Sequence, residues 1–594
     1  MKRLLAVAAL AASALLVVSA DAKTCFWTGA GANGKWTNPD NWKDGEIPGR
    51  ITVNSVLSGE GGDIAEFGAV AAGAKTTIDM TGVTSIGGVK IIGADAPAYT
   101  FGTSTADAQQ LKLEAEGFGF FVGEGVAHAP TLASKFRVVY AASTTPSVTI
   151  CNESVLCVVD LPSAADSIKS PDYDGKISLT YFDFRGAGDI RIGKTEGYAY
   201  RDFGWYLNQT GKLIIGCSLA GGYGKYTPME IAAGDVPSAS GCPARIEVEE
   251  GVVVSGSCQW GPSFNVKDSD VEISGAGTWG FNWRSGYDAG DARVRIAKGR
   301  KLTITCKYKA SCDKGEPAGV RAYKGNDEES IWYGGDWAFY AENEIAGPLQ
   351  NFFGNMETDR AGGFGQGDIQ LASDSILRSV AAADWTLTQS VYTKEWPSRT
   401  GKSGAIEVAG AGVWTLAGGV TTQNSGTTST ITFQGEGEGV VDSVVSNGTG
   451  TCVLAIVKSG SGTWTLTQPC AFTGATTVNA GTLKVAATGS LASSSGITVK
   501  GGVLAFEGDA ETTTEQTLKK LTISESGTLA ISGKMTVTAA AVSCTSGKVL
   551  DVVTDSTDAK RRGACWPRIP ISRCSSSRPS GRRTASPTRS KPAP

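Results

Sequence analysis

Residues 460–485 read Gly460-Ser-Gly-Thr-Trp-Thr-Leu-Thr-Gln-Pro-Cys-Ala-Phe-Thr-Gly-Ala-Thr-Thr-Val-Asn-Ala-Gly-Thr-Leu-Lys-Val485. Gly460 and Gly462 make a turn, after which Trp464 and Leu466 alternate with Thr463, Thr465 and Thr467. Pro469 breaks the run. Gly474 marks a second corner, and Asn479 to Gly481 mark a third before Thr482 to Val485. Period two, β-favouring Thr and Val, and glycine at the corners describe strand, turn, strand, turn, strand. One such unit cannot bury its own apolar face, so it must stack on others of its kind.

Working outward, the same grammar recurs. Gly481-Thr-Leu, Gly502-Val-Leu and Gly527-Thr-Leu open strands at spacings of 21 and 25 residues. A Gly-x-Gly-x-Trp phrase occurs at Gly275 to Trp279, Gly410 to Trp414 and Gly460 to Trp464. Arg245 to Val248 and Arg293 to Ile296 are two further alternating runs 48 residues apart, which suggests two coils of about 24. Glycine is abundant, at 78 residues, and charged residues are only 19 %. That composition suits short strands and tight corners and disfavours helices, where interior glycine costs about 1 kcal/mol against alanine. The expectation is an all-β chain, a parallel β-solenoid with irregular coils of about 20–25 residues over 76–558. A β-propeller would need blades of about 40–50 residues with signatures that are missing here.

The opening segment resembles the autotransporter-associated β-strand repeat, whose pattern runs G-x-G-T-L-T-L-T and closes T-G-x-T-x-V-N-x-G-T-L-x-V. Gly460, Gly462, Thr463, Leu466, Gly474, Val478, Asn479, Gly481 and Leu483 define the match, with Thr467, Thr473, Thr476 and Val485 also in place. Trp464 stands where the pattern has a small aliphatic residue. The resemblance covers about one twentieth of the chain. It implies a right-handed parallel β-helix on a secreted or surface-exposed bacterial protein, and it implies no activity.

Residues 1–22 read as a signal peptide: Lys2 and Arg3, an apolar run from Leu4 to Val18, then Ala20-Asp21-Ala22 as a small-residue cleavage site before Lys23. No later segment is long and apolar enough to span a bilayer as a helix. No series of amphipathic strands near the C-terminus suggests an outer-membrane barrel. Residues 23–75 form a Trp-rich region, with Trp27, Trp36 and Trp42 in a W-x-G, G-x-W, N-W order similar to the opening block of large secreted bacterial proteins that carry the same repeats. Three indoles in that space would cap the open apolar end of a stack; a sugar-binding patch is the alternative. Residues 559–594 differ in kind, rich in Arg, Ser and Pro without a single acid. They read as a disordered basic tail, either translated from a shifted frame or serving as an arm for polyanions or cell wall. The 13 cysteines include no C-x-x-C pair, and they read mainly as small buried apolar residues with one or two disulfides open.

Catalytic signatures are sparse. The single histidine, His128, excludes two-histidine metal motifs, and no G-x-S-x-G elbow is present. Asp183, Asp189, Asp288, Asp291, Asp336 and Asp368 are the acids a polysaccharide-cutting site could use, but the recurring phrases Gly188-Asp-Ile, Gly290-Asp-Ala and Gly367-Asp-Ile read as turn chemistry. Gly362 to Asp368 resembles a calcium nonapeptide only once, so neither a cofactor nor a metal is expected. Aromatic clusters give the candidate glycan contacts: Tyr198, Tyr200 and Trp205, then Trp279 and Trp283, then Trp332 and Trp337. The expected protein is a non-catalytic, structural or adhesin-like β-helix, secreted or on the outer surface of a bacterium. Its expected partners are polysaccharides or host and cell-surface glycans, without specific nucleic-acid binding. One alternative is a glycan-binding protein using outward aromatic rings. The other is a polysaccharide lyase or hydrolase, which a cleft holding two or more acids beside Arg or Lys would favour.

Overall fold

The computed structural model describes residues 22–554, apart from 60, 115–116, 134–135, 141–146, 162–165, 170–179, 194–202, 221–229, 234–241, 258–262, 267, 284–292, 313–319, 323–334, 352–353, 373–374, 395–402, 427 and 450. The leader and the basic tail thus lie outside the described residues. Among the described residues there is no α-helix, and nearly all strand pairs are parallel. The fold is a parallel β-helix. It divides into two compact units, Met1–Gln370 with Asp374–Leu377, and Leu371–Ser373 with Arg378–Pro594.

The first unit opens with the cap. Trp27, Trp36 and Trp42 are all buried and meet edge to face, at 5.0 Å for Trp27 with Trp42 and 4.9 Å for Trp36 with Trp42. Each indole N–H finds a backbone carbonyl: Lys75 at 2.8 Å, Pro48 at 3.0 Å and Trp36 at 2.7 Å respectively. Buried indoles need such partners. Phe67, Tyr99 and Phe101 continue the packing beneath them. Asn41, fully buried, explains the N-W pair: its amide donates to the Asn33 and Lys35 carbonyls, both at 2.8 Å, and accepts from Gly31 N–H at 2.9 Å. The rings pack inward, so no sugar-binding patch is formed from them.

Above the cap the strands line up rung on rung. Thr24–Phe26, Ile64–Phe67, Gly88–Ile91, Gly119–Val122 and Ser147–Asn152 begin one parallel sheet. A second sheet places Leu213, Ile246, Ile273, Ile304 and Phe339 in one inward row. Those rungs are 27 to 35 residues apart, longer than the expected 20–25. The excess is loop, since the paired segments stay four or five residues long. Arg245 to Val248 and Arg293 to Ile296 are not equivalent rungs. The first pairs with Val271–Gly275, whereas the second belongs to the other sheet and pairs with Ser263–Val266.

The second unit is more regular. Trp385, Trp414, Gly439, Trp464, Leu483, Leu504 and Leu529 form one inward row at intervals of 19 to 29 residues. Thr482, Val503 and Thr528 are partners, as the recurring Gly-x-Leu phrases predict. Gly460 turns the corner with φ +71°, which favours glycine. Gly439 has a different reason. A Cβ there would lie 2.5 Å from the Trp464 ring, so the missing side chain makes room for an indole that is fully buried. Trp464 thereby reaches Phe433, with ring centroids 4.7 Å apart. We expect Gly439→Val to cost about 1–3 kcal/mol by overpacking. Trp464→Leu in the same chain should recover part of that loss in urea unfolding, and a loss untouched by the second change would exclude the clash as its cause.

Candidate functional site

The three aromatic candidates whose side chains are described form no surface platform. Trp205, Trp279 and Trp337 are at most 1 % exposed. Each occupies an inward position in register with aliphatic or aromatic partners: Trp205 with Phe182, Trp279 with Val254 and Tyr308, Trp337 with Leu302 and Met356. They fill the interior and offer no ring face to a glycan. Tyr198, Tyr200 and Trp332 lie outside the described residues, as does the side chain of Trp283.

The outer face of the first unit is charged instead. Lys212, Arg245, Glu272 and Thr303 align in one outward row, which continues in register into the buried Ala338 and Glu357. Arg191 donates from Nε and Nη2 to the Glu249 carboxylate, both at 2.7 Å, and from Nη1 to Asp160 at 2.9 Å. These hydrogen bonds raise the Arg191 pKa and lower that of Glu249. Lys212 pairs with Glu247 at 2.5 Å. Glu357 is nearly buried and takes both the Lys301 ammonium, at 2.5 Å, and the Tyr340 hydroxyl. Burial works against the Lys301 charge, but the Glu357 bond prevails and its pKa is raised. Burial, followed by Glu357, raises that of Tyr340 as well.

Next to this cluster is an open cleft of 390 Å³ lined by Cys242, Asp270, Glu272, Arg300, Lys301 and Thr303 among others. It joins two acids to two bases. Two of the four are already engaged: Asp270 accepts the Lys301 backbone N–H at 3.0 Å, and the Lys301 ammonium is held by Glu357. Among the described residues the Glu272 carboxylate and the Arg300 guanidinium make no hydrogen bond or ion pair, so they are the groups free to meet a ligand. An anion would be drawn to Arg300 and a hydroxyl to Glu272. Sequence reading missed this pairing because Glu272 and Arg300 come from successive coils.

The sequence-derived acids have mostly local work. Asp189 accepts the Lys212 backbone N–H of the next coil at 2.8 Å, repeating what Asp270 does for Lys301. Asp183 takes Arg185 and Asn208, and Asp336 takes the Asn355 amide at 2.7 Å. Asp288 and Asp291 lie outside the described residues. In the Gly362 to Asp368 loop, the Gly363 carbonyl accepts from Asn343 at 2.7 Å. The exposed His128 reaches the Ala96 carbonyl at 3.2 Å through Nδ1.

The repeat itself carries one unexpected group. Thr463–Leu466, Thr476–Val478 and Thr482–Val485 are its strands, with Trp464, Leu466, Val478, Leu483 and Val485 inward. Gly460, Gly462, Gly474 and Gly481 stand at its corners. Lys458, near the start of the matched stretch, stands in the otherwise apolar row Phe433, Val478, Val499, Ile523, and it is fully buried. Its ammonium donates to the carbonyls of Ser459 at 2.5 Å, Gly460 at 2.9 Å and Ala480 at 3.2 Å. It thus ties one glycine corner to the next. Burial pushes its pKa down to about 8.

The nine cysteines whose side chains are described are free thiols, and seven of them are buried. Burial raises the pKa of Cys25 and Cys306 to about 11 and that of Cys470 to about 12. They are small core residues with little thiolate character.

Residues 456–485 match the family described as passenger-associated-transport-repeat. That is the autotransporter-associated repeat, and in this structure it forms successive coils of a parallel β-helix. The match covers 30 of the 594 residues, and a repeat of this kind, found in autotransporter passenger domains, points to a bacterial secreted or surface protein. No curated protein and no solved structure matches the chain.

Lys458 supplies a pH test. Its folded-state pKa lies below its ordinary 10.5, so between about pH 8 and that value the unfolded chain binds more protons than the folded one. Its unfavourable contribution is therefore complete below about pH 8 and fades as pH rises through that window. The stability of the native chain relative to Lys458→Met should rise from pH 7.5 to 10.5 in urea unfolding, by roughly 1 kcal/mol or more. A difference independent of pH would contradict the assignment.

Proposed function

We propose that this protein is the exported, non-catalytic part of a surface structure, a structural or adhesin-like passenger that presents its outer β-faces and loops to polysaccharides or cell-surface glycans. The observation that supports this reading most is the coincidence of the passenger repeat with a coil whose apolar residues are consumed in stacking. What that coil offers outward is Thr463, Thr465, Thr482 and Lys484, a polar surface. The charged outer face of the first unit supports the same reading. It carries ion pairs at Arg191 and Lys212, each contributing about 0–1 kcal/mol when exposed, together with Glu272 and Arg300, unpaired among the described residues, and such a face recognises partners better than it holds a fold together.

The cleft favours a second reading, a site for an acidic carbohydrate. Arg300 suits a uronate or sulfate group, and Glu272 suits sugar hydroxyls. The cleft also has the composition that favours a polysaccharide lyase or hydrolase, since Asp270 and Glu272 stand beside Arg300 and Lys301; one Asp270 oxygen accepts the Lys301 backbone N–H and Lys301 is held by Glu357, so binding is the reading we put first.

A glycan array and a polysaccharide-cleavage screen on residues 23–558 separate these readings. The structural reading predicts retention on glycans without release of products. The second predicts binding to acidic polymers that falls at least about tenfold in Arg300→Ala and about threefold in Glu272→Gln. Products released from any polymer would overturn the non-catalytic reading, and a blank array would remove the glycan partner.

A further inference from the structure

Asp63 immediately precedes the strand Ile64–Phe67 in the cap and is 3 % exposed. Its Oδ1 accepts the backbone N–H of Lys23 at 3.1 Å, and its Oδ2 accepts that of Gly49 at 3.1 Å. Both donors are neutral amides. Among the described residues no cationic side chain pairs with Asp63, and the nearby Lys23 ammonium turns to Glu46 at 3.7 Å. The other titratable group facing it is the Cys25 thiol, which is neutral. A carboxylate taken out of water without a countercharge is costly.

The atom that touches this carboxylate is the nitrogen that leader removal would free. Ala20-Asp21-Ala22 places the cleavage site directly before Lys23. Lys23 also starts the first rung, since its carbonyl accepts the Ile64 N–H at 2.7 Å and Thr24–Phe26 pairs with Ile64–Glu66. We propose that Asp63 is the receptor for the new N-terminus: cleavage after Ala22 produces a Lys23 α-ammonium that pairs with the buried carboxylate and locks the first rung over the tryptophan cap. Hydrolysis by a leader peptidase adds water across the Ala22–Lys23 peptide. It leaves a carboxylate on Ala22 and an amine on Lys23, which holds the released proton. With an ordinary pKa of about 7.7–8.0, that amine is charged at neutral pH. Charge-assisted hydrogen bonds are roughly twice as strong as neutral ones. Maturation would then stabilise the end of the stack that lacks a preceding coil.

The cleavage half of this proposal rests on the export reading; the lock does not, and the two are measured separately. Full chains are prepared starting at Lys23, or carrying Gly-Ser-Gly before Lys23, each with Asp63 or with Asp63→Asn. Amide exchange is followed at Thr24–Phe26 and Ile64–Phe67. The expected result is exchange about tenfold slower in the chain starting at Lys23 than in the extended chain, with the difference lost in Asp63→Asn. Equal exchange in the two Asp63 chains would overturn the lock, and that comparison stands even if the Asn variant folds poorly. The full gene is also expressed with its leader in an exporting bacterium, and the N-terminus of the recovered chain is sequenced. Lys23 is expected; any other first residue would overturn the cleavage assignment.

Discussion

Every inward side chain in this molecule depends on a neighbour one rung away. A strand of four residues has too little of its own to bury, and its edge amides and carbonyls need a parallel partner. The second unit meets both needs by stacking Trp385, Trp414, Trp464, Leu483, Leu504 and Leu529 in line, with backbone pairing between rungs. Loops vary freely in length because they lie outside the pairing, as the intervals of 19 to 29 residues show. The constraint is strongest at the corners, where Gly460 and its equivalents bring successive coils too close for a Cβ. Lys458 spans two such corners and binds their carbonyls in place of an apolar contact.

This constraint decides where function can reside. Large rings are drawn inward because they fill rungs well, and they leave an outer face of Lys, Arg, Asp and Glu. A stack also has ends, and an end has no neighbour to complete it. The tryptophan cap closes the first end with three satisfied indoles and the buried Asn41. Asp63 beside it is a carboxylate without a countercharge, at the point where the chain enters the first rung.

Much of the fold was legible in sequence because period two and glycine corners are local signals. Thr463–Leu466, Thr476–Val478 and Thr482–Val485 lie where alternation and turns put them. The capping role of Trp27, Trp36 and Trp42 was legible too, since an open apolar end must be covered. Less was legible where the signal is not local. Alternation says that Trp205, Trp279 and Trp337 share a face with their neighbours but not which face is inside. It also does not name the sheet a strand joins, which is why Arg245 to Val248 and Arg293 to Ile296 resemble equivalent rungs and are not. The cleft was invisible because Glu272 and Arg300 meet only once two coils are stacked. Nothing local in the sequence singles out Lys458, and only its position in the row of Phe433 and Val478 reveals it as buried.

Rung-by-rung pairing is tested most directly by cross-linking. Thr465 and Lys484 are outward partners on adjacent rungs, and Ala505 follows one rung later in the same row. Adjacent parallel strands lie about 4.8 Å apart, within disulfide reach, whereas two rungs span about 9.6 Å and are outside it. Under mild oxidation, Thr465→Cys with Lys484→Cys should form an intramolecular disulfide, and Thr465→Cys with Ala505→Cys should not. A disulfide between 465 and 505 but none between 465 and 484 would contradict the stacked architecture.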